Sequence, residues 1–312
     1  MSDVLAADLR ACETLARAHY ENFAIGSRLL PRRLRGPLAA IYACVRVADD
    51  LADEPAPGVD PTTALAEWQR GLDAAAAGGD APHFAQRACG AVIRELALPL
   101  DPFHALFRAF RRDVHQHRYE TFDELLGYCR DSADPVGRLV LLLFGARDPA
   151  LHASSDAICS GLQLVNHWQD VAIDARRGRL YLPAEDLSRF GVDPKEVLRG
   201  SDGPALRALL AFETARARAL LARGAALVEG TRGRLRFEVA LFRRAGLAAC
   251  HALARVDFAV MAGPPRLGAR ARAHIVASGL WDAARAPRRT GRTGHPADAG
   301  GSLAHPETSR GA

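Results

Sequence analysis

Apolar residues recur every three to four positions along most of the chain, and strict apolar/polar alternation is nearly absent. The pattern predicts helices over roughly 8–26, 36–53, 61–77, 82–97, 102–117, 122–145, 150–176, 203–229, 232–262 and 267–279. Proline and glycine clusters fall between them, as in "EPAPGVDP", "LPLDP", "GARDPA", "GSDGPA" and "AGPPRLG". Residues 178–201 read as a longer irregular connection with room for two short turns. Pro135 lies inside a helical stretch, where it either kinks one helix or separates two. From residue 284 the periodicity disappears and Pro, Gly, Ser, Thr and Arg dominate, so 284–312 is expected to be a disordered basic tail. The expected architecture is a single all-α domain over 1–283.

Two predicted helices carry acids in a spacing that needs an explanation. The first ends Asp49-Asp50-Leu51-Ala52-Asp53-Glu54. Negative charge at a helix C-terminus opposes the macrodipole, at about a few tenths of a kcal/mol per charge. Tyr42, Arg46, Asp49 and Asp53 succeed each other at four, three and four residues, which puts them on one face. Taken alone, a solvated acidic turn would explain them. The second helix, in "GLQLVNHWQDVAIDARRGRLYLP", sets Gln163, Asn166, Asp170 and Asp174 on one face among apolar neighbours. Burying unpaired carboxylates costs several kcal/mol, so this pair asks for a cation. Oxygen donors without His or Cys suit Mg²⁺, which shares its shell with water and substrate phosphates. With Arg46, Arg176, Arg177 and Arg179 nearby, the two faces suggest a diphosphate held through several Mg²⁺ ions.

Composition narrows the setting. With 49% apolar and 25% charged residues in 312, the chain is built like a globular protein. Its formal charge of +5 comes from arginine, Lys195 being the one lysine. Six scattered cysteines without a C-x-x-C pair argue against zinc or a disulfide framework and for a reducing cytosol. No signal peptide and no apolar run of membrane-spanning length is visible. The expectation is a cytoplasmic protein, at most peripheral at the inner face of the membrane. Arg285, Arg288, Arg289 and Arg292 would attract anionic lipid, or belong to a solvated extension.

Three segments, "HYENFAIGSRLLPRRLRGPLAAIYACVRVADDLAD", "YCRDSADPVGRLVLLLFG" and "LQLVNHWQDVAIDARRGRLYLP", resemble the squalene/phytoene synthase family in sequence and in order. The resemblance implies a single-domain class I isoprenoid (terpenoid) synthase fold, all-α, around a central active-site cavity. It implies Asp49 and Asp53 as one metal-binding pair and Asn166, Asp170 and Asp174 as the other, with roughly two or three Mg²⁺ ions on the substrate diphosphate. It implies diphosphate contacts from Arg46, Arg179 and Tyr181. His19, Asn22 and Phe23 would line the site, and Tyr42, Tyr128 and Gln163 would face the reacting prenyl carbons. The chemistry that the resemblance implies is ionisation of a diphosphate to a carbocation, with charge on the leaving group stabilised electrostatically.

The residues after Tyr128 set the branch. Where relatives that make phytoene or presqualene diphosphate usually read "YCYxVAGxVG", this chain has Arg130, Asp131, Ser132 and Asp134. With "HYENF" and "NHWQD", this resembles the branch that converts presqualene diphosphate to hydroxysqualene by water capture, without nicotinamide. The polar replacements are candidates to hold that water; Arg130 pairing with Asp131 or Asp134 at the surface is the alternative. Two further readings stand beside this one: synthesis of presqualene diphosphate, dehydrosqualene or phytoene from two prenyl diphosphates, and an all-α Mg²⁺-dependent nucleotide pyrophosphohydrolase. The pyrophosphohydrolase reading fits less well, since such sites favour Glu-rich clusters. His115 and His117 alternate and share no helix face, so they do not make a metal pair. No nucleic-acid partner is expected; pathway enzymes and transient membrane contact are the candidate partners beyond the substrate.

Overall fold

The computed structural model describes residues 3–18, 31–265 and 268–285. Among them the chain is helical: α1 (Asp3–Ala18), α2 (Arg32–Asp53), α3 (Pro61–Ala76), α4 (Phe84–Leu96), α5 (Asp101–His115), α6 (Phe122–Ser132) and α7 (Asp134–Leu143). Next come α8 (Pro149–Arg176), α9 (Ala184–Arg189), α10 (Pro194–Leu198), α11 (Pro204–Arg223), α12 (Ala225–Gly230), α13 (Gly233–Arg255) and α14 (Ala269–Arg285). Polar caps start several of them. Asp60, Thr121 and Asp148 accept from the backbone N–H groups of Thr63, Glu124 and Ala150, and His83 forms a capping box with Gln86.

The departures from the periodic reading have local causes. The stretch 122–145 is two helices, broken at Ala133, with Pro135 in the first turn of α7 where its missing N–H costs nothing. Ala133 still donates to the Cys129 carbonyl, so the axis changes direction without losing that bond. The stretch 203–229 breaks at Gly224, where a Cβ would collide with Ile158 of α8. Gly161 of α8 likewise leaves room for Leu221, so α8 and α11 approach closely along their length. The predicted 232–262 helix ends at Arg255, followed by Asp257 and Phe258 at positive φ. The last helix reaches Arg285, two residues into the expected tail; 286–312 lies outside the described residues. The two turns expected in 178–201 are α9 and α10.

Two cores meet at α7. One gathers α1–α5 around Cys44, Leu72, Phe103 and Phe107; the other gathers α6 and α8–α13 around Trp168, Leu209 and Leu253. In α7, Leu141 packs into the second core while Leu139, Leu142 and Leu143 pack into the first. The connection after α8 lies along the segment after α5: Leu180 donates to the His117 carbonyl at 2.8 Å, and Ala184 to that of Tyr119 at 2.9 Å. This pairing brings the C-terminal ends of α2, α5 and α8 to one cleft. The six cysteines are free. Among the described residues, no helix is long and apolar enough to cross a membrane.

Candidate active site

The first acidic face closes α2. Tyr42, Arg46 and Asp49 are half-buried, Asp53 is exposed, and Ile41 and Ala48 are buried behind them. Arg46 donates from Nη1 to Asp49 Oδ2 at 3.4 Å and pairs through Nη2 with Asp50 Oδ1 at 2.5 Å. Asp50, though off the stripe, therefore shares the same guanidinium. Burial, reinforced by the charge of Asp53, pushes the Asp49 carboxyl up to about 6.

The second face lies on α8, whose Leu164, Val165, Trp168 and Val171 are buried. Gln163, Asp170 and Asp174 are half-buried on the remaining side, and Asn166 is exposed. The sequence placed these acids among apolar neighbours; the neighbours are buried, but the acids stand on the helix's open side. Desolvation still raises Asp170, and desolvation with the charge of Asp170 raises Asp174 to about 6.

Arg179 connects the two faces. Gly178, at φ +73°, turns the chain back after α8, so that Arg179 N–H reaches the Asp174 carbonyl at 2.9 Å. Its Nη2 donates to Asp53 Oδ1 at 2.8 Å, across 126 residues, while Arg177 Nη1 stands 4.0 Å from Asp53 Oδ2. Arg176 is exposed.

Beneath Arg179 the cleft is aromatic. Tyr181 stacks on His167, with centroids 3.8 Å apart, and on Tyr119 at 5.8 Å; Tyr128 tilts against both tyrosines. The Gln163 amide nitrogen stands 3.3 Å from His167 Nε2, and burial drives His167 down to about 3, so the ring is neutral. Tyr128 donates to Asp113 Oδ2 at 2.9 Å, while Asp113 Oδ1 is buried without a partner. Burial raises the Asp113 carboxyl to about 7, with Asp53 and Asp49 adding to the rise and Arg179 opposing it. Asp113 therefore belongs electrostatically to the same cleft.

Asp113, Tyr119 and His167 were not singled out by the sequence. Asp113 is one acid in the arginine-rich turn Arg111-Arg112-Asp113, with no periodic partner, and only tertiary packing shows its role. His167 lay inside the matched segment and carried the one available signal. His115 faces Thr62, with Nε2 and Oγ1 3.1 Å apart. His19, Asn22 and Phe23 lie outside the described residues.

After Tyr128, Arg130 is exposed and Asp131 is held by Arg108 and Arg112 at 2.8 and 3.5 Å, so the Arg130–Asp131 pair does not form. Asp134 is buried, accepts from Ser160 Oγ at 2.7 Å, and is raised by burial to about 7. Ser132, one helical turn beyond Tyr128 on the same face, has a buried hydroxyl with no hydrogen-bond partner.

Among the described residues no three His, Cys, Asp or Glu side chains come close enough to hold one ion. The acids come instead as two pairs, one at the end of α2 and one on α8, in which Asp49 and Asp174 are desolvated and repelled by the neighbouring aspartate. Such oxygen-only pairs fit hard divalent cations that complete their shells with water and phosphate. An apolar cavity of about 130 Å³ lies between α7, α8, α12 and α13, lined by Val136, Gly137, Val140, Ser155, Cys159 and Leu162 among others. Ser155, Cys159, Gln163, Asn166, Asp170 and Asp174 succeed each other at i+3 and i+4, so one stripe of α8 runs from the apolar cavity to the acids.

A squalene/phytoene synthase family model matches residues 16–276. The chain is 35% identical over 225 residues to hydroxysqualene synthase of Sinorhizobium fredii, covering 71% of this chain and 75% of the relative. It is 33% identical over 223 residues to phytoene synthase of Arthrospira platensis, covering 66% and 71%. The crystal structure of squalene synthase HpnC from Alicyclobacillus acidocaldarius superposes with a TM-score of 0.78 at 39% identity, over 83% of this chain and 97% of that one.

Proposed function

The chain belongs to the squalene/phytoene synthase family and has its helical isoprenoid synthase fold, and from that premise we propose that it converts presqualene diphosphate to hydroxysqualene. The observation that carries the reading is the single stripe of α8, with acids at one end and an apolar cavity at the other. Its change from acid to apolar suits a substrate with a charged head and a hydrocarbon body, of which a cavity of this size takes a part. Asp49 and Asp53 on one side, and Asn166, Asp170 and Asp174 on the other, would hold Mg²⁺, which when bound neutralises charge on the departing diphosphate. Arg46 and Arg179, already turned toward the acids, take diphosphate oxygens with their forked donors.

The carbon–oxygen bond breaks with both electrons leaving on diphosphate, and the cation rearranges against the faces of Tyr128, Tyr181, Tyr119 and His167. Electron-rich rings attract a cation in a desolvated site, and a neutral His167 adds no repulsion. Tyr42 and Gln163 border the same space. Water then adds its oxygen to the cation and releases a proton to solvent. The unpartnered Ser132 hydroxyl supports this last step, since it supplies a fixed polar contact for one water where a hydrocarbon wall would leave none. Arg130 is exposed and Asp131 is held by Arg108 and Arg112, so neither is assigned a part in it.

The test is incubation with Mg²⁺ and presqualene diphosphate in ¹⁸O-labelled water, without nicotinamide, followed by mass spectrometry. A C30 alcohol carrying the label supports the proposal. The similarity to a phytoene synthase at comparable identity supports a second reading, condensation of two prenyl diphosphates. No turnover of presqualene diphosphate, with a C30 or C40 product formed from farnesyl or geranylgeranyl diphosphate, selects that one.

A further inference from the structure

We propose that Asp134 takes the proton from the water that the cation captures. The inference rests on the reaction proposed above and names the group that completes its last step. The break between α6 and α7 places this carboxylate. Tyr128 on α6 lies opposite His167 on α8, with ring centroids 6.1 Å apart. Past Ala133 the chain changes direction, and Asp134 lies opposite Ser160, whose hydroxyl donates to Oδ1 at 2.7 Å. Ser160, Gln163 and His167 succeed each other at three and four residues, so they share one face of α8. Ser132, with its unpartnered buried hydroxyl, therefore falls between these two contacts on α6, as Gln163 does on α8. Asp134 closes the lower end of that space. Gly137, three residues on, keeps it there: a Cβ would collide with Ser155 Oγ and Cys159 Sγ, so α7 lies directly against α8.

Pinning α7 to α8 does not require a charge. An asparagine would accept the same hydroxyl without the desolvation that a buried carboxylate suffers. Asp134 is only 3% exposed, and a neutral hydroxyl is its hydrogen-bond partner among the described residues, leaving Oδ2 unengaged. The neighbouring acids are committed elsewhere: Asp113 holds Tyr128, and Asp131 sits between Arg108 and Arg112. Burial raises the Asp134 carboxyl to about 7; Asp156 adds to the rise, while Ser160, Arg138 and Arg130 oppose it. A carboxylate of that basicity is ionised above about pH 7 and suits a base working near neutrality. The Cys129 and Cys159 thiols, raised by burial and by the charge of Asp134, stay protonated and do not compete for the role. As the water oxygen bonds to the cationic carbon, one O–H bond breaks and its electron pair stays on oxygen. The proton passes to the Asp134 carboxylate, and the neutral acid loses it to solvent before the next turnover.

The experiment incubates full-length protein with saturating Mg²⁺ and presqualene diphosphate in ¹⁸O-labelled water from pH 6 to pH 9, and counts labelled C30 alcohol per diphosphate released. This ratio is set after the carbon–oxygen bond has broken, so cation binding at the two acidic faces does not enter it. In the native chain the ratio should fall as pH drops through about 7, by up to about tenfold per unit. Asp134→Asn keeps an acceptor for Ser160. It should lower the ratio by about tenfold at pH 8 and flatten its pH dependence, the cation instead losing a carbon-bound proton to give C30 polyenes. Ser160→Ala removes a hydrogen bond that favours the charged carboxylate, so the midpoint should move to higher pH. This second variant decides the matter if Asp134→Asn does not fold. No labelled alcohol from the native chain at any pH removes the proposed reaction, and this inference with it. Labelled alcohol from the native chain together with a flat profile, an unchanged ratio in Asp134→Asn or an unmoved midpoint in Ser160→Ala overturns the inference alone, and leaves the departed diphosphate as the proton's acceptor.

Discussion

On α2, each acid of the cleft has an arginine: Asp49 and Asp50 share Arg46 at 3.4 and 2.5 Å, and Asp53 holds Arg179 at 2.8 Å. On α8, Asp170 and Asp174 have no ion pair among the described residues, although burial raises both and the charge of Asp170 adds to the rise of Asp174. The first face is therefore neutralised by groups that are themselves diphosphate ligands in the proposed reaction. The second is kept in place by the core packing of Trp168 and Val171 behind it. In the proposed reaction an arginine released from Asp49 or Asp53 by a cation would be free to turn to substrate, whereas the α8 pair has nothing to give up. The difference assigns one face to exchange and the other to waiting.

The contrast is tested most directly by neutralising one acid on each side. Asp174→Asn and Asp53→Asn should each lower turnover by about 10³-fold, because both remove charge that the proposed reaction uses to bind cations. Their effects on folding should diverge. Asp174→Asn relieves a desolvated, self-repelling pair and should leave the melting temperature at pH 8 unchanged or raise it. Asp53→Asn leaves Arg179, with 18% of its side chain exposed, without its closest partner, and should cost about 1 kcal/mol. Equal destabilisation by both, read by scanning calorimetry, would break the contrast.

The same difference has a pH signature. Asp49 and Asp174 are raised to about 6, so below that pH both are protonated and neither offers a full charge to a cation. The Mg²⁺ concentration giving half-maximal rate should therefore climb as pH falls through about 6, by up to about tenfold per unit for each carboxylate. A flat Mg²⁺ requirement between pH 5 and pH 7, measured at saturating substrate, is the contrary result.

Asp113 belongs to neither face yet is linked electrostatically to Asp49 and Asp53 on α2 and to Arg179, and it holds the Tyr128 hydroxyl. Asp113→Asn and Tyr128→Phe should each reduce kcat by roughly 10–100-fold, and the double variant should fall little below the worse single one, since both break one contact. Additive losses would show that the two residues act separately.

Both acidic faces were legible because helical spacing projects directly onto the fold: four-, three- and four-residue steps gave the α2 stripe, and the Gln163–Asp174 steps gave the α8 stripe. Helix existence was legible for the same reason. What periodicity does not encode is contact between distant turns. Asp113, isolated on α5, reaches Tyr128 only because the segment after α5 pairs with the segment after α8. The break beside Pro135 was one of two outcomes that the proline allowed, whereas the break at Gly224 was hidden: apolar spacing continues across it, and its cause is the close approach of Ile158 on another helix. Asp131 could not be placed from sequence because its partners, Arg108 and Arg112, lie a helix away.

The mildest test lies outside the cleft, where one arginine serves two buried acids. Arg216 Nη1 meets Asp186 Oδ2 at 2.5 Å and Glu213 Oε1 at 3.1 Å, while Glu213 Oε2 is buried without a partner. Burial and the neighbouring Asp186 raise the Glu213 carboxyl from 4.5 to about 8. The folded state therefore binds a proton that the unfolded state has released across that interval. The stability associated with this group is complete below about pH 4.5 and is lost as pH rises toward about 8. Glu213→Gln should flatten this decline, making the difference in unfolding free energy between pH 5 and pH 8 smaller by about 2 kcal/mol. Turnover should not change, because Glu213 has no contact with the cleft residues. If the variant keeps the full pH dependence, a single arginine satisfies both acids here, and the contrast with Asp170 and Asp174, which have no ion pair among the described residues, is sharpened.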